Sequence, residues 1–355
     1  MVLSLAETTT AQVEPAAADT ASARTAPTPL KVLTDSTTSD IGTLVARLSS
    51  ADGAMEYWDV TAWLDSGERF FARFLVTNQG PGDRTAAAIG HLVLANGAVL
   101  PFKWGRRQDD WTPGKGGRRL DIAKATLDVS APTIVVDIDS RKHGVQVHLE
   151  IDRTNDPTLV EDLVTPYTYE VAMPAMARAT ITARGASSAH DAVGSGAVTH
   201  TWTTRPESEL IRRRDEVLAR QGDRAFYLSV LTLPDGSRHS EWLEQHRNGS
   251  SESGGGGSVT FSNATTAGSD ARYPVATEWD FGPNGSRTTL SRELLRMSPL
   301  EILPQPFRFL LSLGGDPRRV WAEATVKIDL GGNPMKPGIL RELNGIAVST
   351  FAGPE

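Results

Sequence analysis

Apolar residues that alternate with polar ones recur along most of this chain, and this period of two constrains its fold more than any other feature. The clearest case runs from Val145 to Ile151, where every second residue is Val, Leu or Ile. Such alternation is typical of a strand with one buried and one wet face, as in antiparallel sheets. The Asn96-Gly97 pair between two apolar stretches is a strong hairpin signal. The sequence therefore predicts an all-β fold.

The chain is 355 residues long, which is more than a single hydrophobic core usually serves. We therefore expect two antiparallel β lobes, each a barrel or a sandwich, over residues 41–204 and 205–355. Residues 1–40 are mostly Ala, Thr, Ser and Pro with scattered charge, which predicts a disordered tail.

Two stretches depart from the strand pattern and predict the few short helices of the fold. One helix is expected between residues 206 and 222, at the start of the second lobe, where Gly222 would end it. Its apolar face would consist of Leu210, Ile211, Val217 and Leu218. The basic cluster Arg212-Arg213-Arg214 would form its solvated face. A second short helix is expected over residues 287–297, and the Ser- and Gly-rich residues 250–258 predict a flexible loop.

Composition excludes several classes of function. A formal net charge of −7 argues against nucleic acid or an anionic membrane surface as the partner. The absence of cysteine excludes disulfides, thiolate nucleophiles and Cys-ligated metals. No apolar run approaches the roughly 20 residues of a transmembrane helix. Because the first residues also lack the basic start of a secretory signal, we expect a cytoplasmic protein.

Two pairs of side chains are the strongest candidates for chemistry. His200 and Trp202 lie two residues apart among threonines, and Tyr227 and Ser229 lie two apart in a later strand pattern. In a strand, residues two apart share a face. An aromatic face stabilises a nearby cation by about 0.5 to 2 kcal/mol. We expect the four side chains to converge on one apolar pocket; the alternative is that His200 and Trp202 merely end the core of the first lobe.

Further motifs accompany these pairs in a fixed order along the chain. They are Glu56-Tyr57-Trp58, Gly194 and Gly196, Tyr273-Pro274, Trp321-x-Glu323, and Gly338 followed by Glu342-Leu343-Asn344-Gly345. Together the motifs resemble the carotenoid 1,2-hydratase (hydroxyneurosporene synthase) family over most of residues 40–351. Members of that family are two-lobed lipocalin-like proteins, related in fold to the lipocalin-like Diels–Alderases of decalin biosynthesis. The resemblance implies two lipocalin-like lobes here.

The resemblance also implies a pocket lined by His200, Trp202, Tyr227 and position 229. In the family, an aspartate at this last position protonates a terminal isoprenoid double bond, and water then captures the cation. Ser229 stands there in this chain, and a serine hydroxyl cannot supply a proton as a carboxylic acid can. We predict that these four residues are catalytic. The candidates for a proton donor that replaces the aspartate are His200, Glu278, Asp280 and Glu323. The predicted substrate contacts are Trp58, Tyr273, Trp279, Glu278, Trp321 and Glu323.

These residues predict an enzyme that binds a small hydrophobic isoprenoid or polyene between or within the lobes and acts on its C=C bonds. Without the aspartate, cyclisation or pericyclic closure is favoured over hydration. No metal or organic cofactor is expected, because none of these reactions changes the redox state. Peripheral contact with a membrane could load the substrate. The alternatives are a non-catalytic carrier of a lipid or pigment, and a scaffold with a vestigial pocket.

Overall fold

A computed structural model describes most of the two predicted lobes. The described residues are 44–78, 84–130, 132–153, 158–161, 167–184, 188–246, 251–255, 259–264, 273–281, 286–298, 317–329 and 340–352. The tail predicted over residues 1–40 lies outside them.

The first lobe is an antiparallel sheet that contains 12 strands within the described residues. The strands are β1 (Met55–Leu64), β2 (Arg69–Thr77), β3 (Thr85–Val93), β4 (Val99–Arg106), β5 (Thr112–Pro113), β6 (Arg119–Ile122), β7 (Ala125–Asp128), β8 (Thr133–Ser140), β9 (Val145–Asp152), β10 (Thr158–Glu161), β11 (Tyr167–Ala183) and β12 (His190–Thr203). Their order is β4-β3-β2-β1-β12-β11-β9-β8-β7-β6-β5, with β10 paired to β11. Short 3₁₀ turns span Gln108–Asp110, Lys115–Gly117 and Arg141–His143.

The second lobe is an antiparallel sheet with nine strands in the described part of the chain. A single helical turn, α1 (Glu207–Leu210), leads into β13 (Arg213–Gln221), β14 (Arg224–Thr232), β15 (Arg238–His246), β16 (Ser251–Gly255), β17 (Thr260–Ala264), β18 (Ala276–Phe281), β19 (Ser286–Met297), β20 (Arg318–Asp329) and β21 (Leu340–Phe351). Their order is β16-β15-β14-β13-β21-β20-β19-β18-β17. The prediction of an all-β fold of two antiparallel lobes is confirmed. No helix in the ranges given above is both long and apolar enough to span a membrane.

Each lobe encloses a hydrophobic core of its own. In the first, β9 buries Val145, Val147, Leu149 and Ile151 on one face, as its alternation predicts. In the second, Phe226, Leu228 and Val230 of β14 point into the core. Because side chains alternate along a strand, the residues between them point the other way, towards the first lobe.

These outward faces pack the two lobes against each other, and we call the contact region the seam. It is formed mainly by β1, β2, β3, β11 and β12 of the first lobe and by β13, β14, β20 and β21 of the second, with Leu243 of β15 and Met297 of β19 at its margins. One apolar group of the seam includes Tyr167, Tyr169, Leu218, Tyr227 and Leu231. A second includes Phe71, Ile89, Met297, Trp321 and Ile346. Strands at the seam are therefore buried on both faces.

That double burial explains why the helix predicted between residues 206 and 222 is wrong. Only Glu207–Leu210 is helical, and residues 213–221 form β13. Val217 and Ala219 face the second core, whereas Leu218 faces the seam. A strand with two buried faces carries no alternation of polar and apolar residues. The predicted solvated basic face is wrong as well, because Arg213 and Arg214 are buried and only Arg212 is exposed.

Two smaller predictions also fail for identifiable reasons. Residues 287–297 belong to strand β19, whose pairing with β20 shifts register between Leu290 and Arg292 and again between Glu293 and Leu295. Such irregularities interrupt the period of two that identifies a strand. Within the predicted loop 250–258, residues 251–255 form β16 and pair with β15. Serine and glycine give almost no strand signal, so the pairing was invisible in the sequence.

The first lobe is tightly packed around Gly90 of β3. A Cβ atom there would lie 2.1 Å from the Phe71 carbonyl oxygen and 2.4 Å from Cζ of Phe102. We therefore expect Gly90→Ala to lower the free energy of unfolding by about 1 to 3 kcal/mol in urea denaturation. Gly105→Ala on the neighbouring strand is the control, since nothing lies within 4 Å of its Cβ position. Equal stability of the two variants would contradict this packing.

Candidate functional site at the seam

Arg214 of β13 lies at the centre of a buried polar network that joins the two lobes. Its Nη1 donates to Thr201 Oγ1 at 2.9 Å and to the Tyr167 hydroxyl at 3.2 Å, both in the first lobe. Its Nη2 donates to Glu216 Oε1 at 2.6 Å and to the Tyr227 hydroxyl at 3.1 Å, both in the second. The side chain is only 1% exposed. One guanidinium thus satisfies acceptors on both sides of the seam.

The same network contains a buried carboxyl group beside a buried phenol. The Tyr227 hydroxyl donates to Glu216 Oε1 at 3.1 Å. Burial raises the pKa of Glu216, although the nearby Arg214 guanidinium opposes this effect. Burial likewise raises the pKa of Tyr227, and the charge of Glu216 adds to the increase. The phenol therefore stays protonated and keeps its hydrogen as a donor.

Tyr57 and Tyr167 extend the network towards α1. Their hydroxyls lie 2.8 Å apart, and both donate to Glu207 Oε1, at 2.6 and 2.8 Å. Burial, followed by the charge of Glu207, raises the pKa of Tyr57. Tyr169 packs beside them with its ring centroid 6.3 Å from that of Tyr227. Four of the five tyrosines of the chain are thus at the seam.

A second cluster of charges at the seam is centred on Asp59 of β1. Arg73 of the same lobe and Arg319 of the other each bind this carboxylate through two nitrogens, at 2.7 to 2.8 Å. Burial opposes ionisation of Asp59, but the two guanidinium groups lower its pKa overall. Arg319 also donates from Nε to Thr350 Oγ1, and Arg73 stacks over the Tyr57 ring at 3.8 Å. Asp59 therefore clamps the lobes together.

Beside this clamp, a small crevice combines apolar walls with polar groups. It is lined by Asp59, Val60, Thr61, Phe71, Ala72, Arg73, Ile89, Gly90, His91, Met297, Arg319 and Trp321. Its volume is about 10 Å³, which admits roughly one water molecule. Burial lowers the pKa of His91 to about 4, so its imidazole is neutral near pH 7.

His200 lies elsewhere, inside the first lobe. Its Nε2 is 2.8 Å from Glu56 Oε1 and its Nδ1 is 3.2 Å from Glu170 Oε2. The imidazole stacks on Trp58 at 4.3 Å and contacts Trp202 at 5.0 Å. Burial disfavours the imidazolium, but the hydrogen bonds to Glu170 and Glu56 raise the pKa of His200 overall. Each ring nitrogen thus faces a carboxylate in a closed site, an arrangement that favours the protonated imidazole.

The segment Leu44–Leu48, which we call the strap, closes this His200 site. The amides of Arg47 and Leu48 donate to Glu56, and the amide of Leu44 donates to Glu170. The Arg47 guanidinium covers Trp202 at 3.9 Å. The strap therefore occupies the space next to Trp202 that a substrate would need.

The four residues predicted to be catalytic do not converge on one pocket. His200 and Trp202 point into the first lobe, whereas the adjacent Thr201 points to the seam and binds Arg214. Tyr227 and Ser229 face the seam from β14. Because the first pair faces the first core and the second pair faces the seam, the expectation of a shared pocket is wrong. The catalytic roles of the four residues remain predictions.

The predicted substrate contacts are similarly divided. Trp58 belongs to the first core and Tyr273 and Trp279 to the second. Trp321 lines the crevice, and Glu323 binds Arg69 across the seam at 3.2 Å. Glu278 and Asp280 pair with Arg287 on the outside of the second lobe. Of the six contacts, only Trp321 and Glu323 lie at the seam.

Sequence reasoning missed Asp59, Arg73, His91, Arg214, Glu216 and Arg319. One signal was present: polar residues that can share a strand face lie two positions apart, as Arg214 and Glu216 do, or Tyr57 and Asp59. A charged residue that alternates with apolar ones is normally solvent-facing, so only a known second lobe would reveal its burial. In the described ranges, no group of three or more His, Asp and Glu residues has an arrangement that could hold a metal ion.

Known structures share this architecture. A protein described as a candidate AttH from Nitrosomonas europaea has a TM-score of 0.60 at 12% identity, with 85% of this chain and 94% of that chain covered. CghA has a TM-score of 0.56 at 11% identity, covering 85% of this chain and 89% of that one. Kievitone hydratase from Nectria haematococca has a TM-score of 0.53 at 10% identity, with coverages of 92% and 98%. The fold is thus lipocalin-like.

Identities this low relate the chains by fold alone. No model of a known protein family matches the sequence, and no curated protein matches it.

The Asp59 clamp gives a direct test of the seam. Asp59→Asn leaves two buried guanidinium groups without their carboxylate, and we expect it to lower the free energy of unfolding by about 3 to 5 kcal/mol in urea denaturation. The control is Asp152→Asn, which breaks an exposed pair with Arg178 and should change the same quantity by less than about 1 kcal/mol. A loss at Asp59 no larger than the control would contradict the clamp.

The His200 site predicts a pH dependence. A group whose pKa is raised on folding stabilises the protein fully below its unfolded pKa of about 6.5, and this contribution is lost as the pH rises through the folded pKa. We expect His200→Gln to cost about 3 kcal/mol at pH 6 and clearly less at pH 9, measured by urea denaturation. The exposed His143→Gln variant should show no such trend. A penalty that grows with pH would contradict a charged His200.

Proposed function

We propose that this chain binds a small hydrophobic molecule, an isoprenoid or a polyene, at the seam and catalyses chemistry at its C=C bonds. The reaction would be cyclisation, pericyclic ring closure or hydration. The observation that carries this proposal is the crevice, where Phe71, Ile89, Met297 and Trp321 form apolar walls beside buried hydrogen-bond donors. Apolar walls with a few fixed polar groups are typical of small-molecule sites.

In this proposal, the polar network of the seam provides the hydrogen-bond donors for a reaction at a double bond. Arg214 and Tyr227 are fixed by several hydrogen bonds each. Donors held in place before the reaction stabilise charge as it develops, without any cost of reorganisation. The walls would hold a folded polyene in a reactive shape, which alone accounts for a large part of many rate enhancements.

Glu216 is a better candidate for the replacement acid than the residues predicted from the sequence. It lies directly opposite Ser229 in the pairing of β13 with β14, on the same face. A carboxyl group is thus available one strand away from the position where the resembled family has its aspartate. Its raised pKa suits a proton donor. Glu278 and Asp280, by contrast, are on the outside of the second lobe.

Substrate entry requires side chains to move, because the crevice admits only about one water molecule. Met297 is a wall residue whose flexible side chain can adapt to a ligand. Side-chain rearrangements of this kind are common on binding. The fold likeness to a protein named as a hydratase is consistent with this proposal.

A lipid or pigment carrier is the second candidate. The observation that favours it is the mutual satisfaction of the seam network, in which Arg214, Glu216 and Tyr227 bind one another. A carrier needs only apolar burial and no free reactive group. Native mass spectrometry of purified protein would detect a copurified lipid. A lipid that remains intact on incubation supports the carrier, and its conversion excludes it.

The catalytic proposal predicts the behaviour of Tyr227→Phe. Acyclic isoprenoids and linear conjugated polyenes are incubated with the protein, and products are measured by chromatography with mass spectrometry. We expect turnover of the accepted polyene, reduced about tenfold to hundredfold in Tyr227→Phe because one buried donor is removed. Glu216→Gln should reduce it at least as much if the reaction needs an acid.

Thr180→Val is the matched control, because it also removes one hydroxyl, on an exposed position of β11. It should leave turnover unchanged. Full activity of both Tyr227→Phe and Glu216→Gln would show that the seam network is not the catalytic site.

A further inference from the structure

The lining of the crevice carries an excess of positive charge. The guanidinium groups of Arg73 and Arg319 share the single carboxylate of Asp59. Two further carboxylates act on them from a greater distance, Glu207 on Arg73 and Glu216 on Arg319. Both are held within the seam network by tyrosine hydroxyls or Arg214. An additional negative charge or oxygen acceptor at the crevice would therefore be stabilised electrostatically.

The donors of the two arginines are not equally used. All three guanidinium nitrogens of Arg319 donate hydrogen bonds, Nη1 and Nη2 to Asp59 and Nε to Thr350. Arg73 binds Asp59 through Nε and Nη2. Its Nη1 has no hydrogen-bond partner among the described residues. Arg73 thus has a donor to spare beside the crevice.

His91 is the second polar group without a partner. It lies on β3 opposite Phe71, and its Nδ1 is buried with no hydrogen bond to any residue in the described ranges. The charged groups that line the crevice around it are Asp59, Arg73 and Arg319. A buried polar atom without a partner is costly unless a ligand or water satisfies it. As a neutral imidazole, His91 can donate one hydrogen bond without adding further charge.

The remaining walls and the size of the crevice define what fits there. Phe71, Ile89, Met297 and Trp321 exclude a second charged group. A volume of about 10 Å³ accommodates one oxygen atom of a ligand but not its hydrocarbon part. The hydrocarbon part would lie along Met297 and Trp321.

We propose that the ligand of the seam is not a pure hydrocarbon but carries a carbonyl or carboxylate oxygen, which binds in the crevice between Arg73 and His91. This inference rests on the proposed function for the location of the site and narrows its ligand class. A donor to a conjugated carbonyl also withdraws electrons from the adjacent double bonds, so the same contact would activate an unsaturated ligand as well as orient it.

The test compares three ligands with the same ten-carbon chain and different ends: decanoate, decan-1-ol and decylammonium. Their binding to the full chain is measured by isothermal titration calorimetry at pH 7. We expect decanoate to bind about tenfold or more tightly than decan-1-ol, because hydrogen bonds to charged groups contribute this much. Decylammonium should bind most weakly. His91→Leu should reduce the preference for decanoate over the alcohol severalfold.

The matched control is His148→Leu, because His148 is 47% exposed on the outside of the first lobe. Its preference should equal that of the unchanged chain, and thermal melting confirms that both variants are folded. Equal affinity for decanoate and the alcohol, no binding of decanoate, or an unchanged preference in His91→Leu would overturn the inference. If decanoate is not preferred but the polyene is still converted, the inference fails and the proposed function stands. If decanoate is preferred but no polyene is converted, the inference stands and the proposed catalytic function fails.

Discussion

Buried guanidinium groups at the seam impose the constraint on which the arrangement of the two lobes depends. A buried arginine cannot lose its charge, so it must find acceptors wherever it lies. Arg214 finds them on Thr201 and Tyr167 in one lobe and on Glu216 and Tyr227 in the other. Arg319 crosses the seam to Asp59. These directional bonds restrict the relative placement of the lobes more than apolar packing alone would, because apolar contacts tolerate small shifts.

The fold could be predicted from the sequence wherever one face of a strand meets water. The alternation in Val145–Ile151 and the hairpin at Asn96-Gly97 both correspond to observed strands. The seam could not be predicted, because its strands are buried on both faces and their polar residues suggested a solvated helix. Buried charges such as Arg214 and Asp59 have the same appearance in a sequence as exposed ones. Their burial depends on a partner surface from a distant part of the chain.

The candidate site, like the fold, could be predicted from the sequence only in part. The pairs His200 with Trp202 and Tyr227 with Ser229 do share faces, as their spacing predicts. Spacing within a strand does not determine which side of a sheet that face is on. Here His200 and Trp202 point into the first lobe, whereas Tyr227 and Ser229 point to the seam. His200 is bound by two carboxylates and covered by the strap, which fits the alternative that it completes the first core. The polar chemistry is concentrated instead where the two lobes meet.

The crowding of tyrosines at the seam has a consequence for spectroscopy. Burial raises the pKa of Tyr57, Tyr167, Tyr169 and Tyr227 above that of a free phenol. Each phenolate would have to form in a dry region, and Glu216 and Glu207 already place negative charge there. Alkali therefore ionises these phenols readily only once the lobes have separated. The ultraviolet absorbance of tyrosinate would therefore follow the separation of the lobes in alkali, without any attached label.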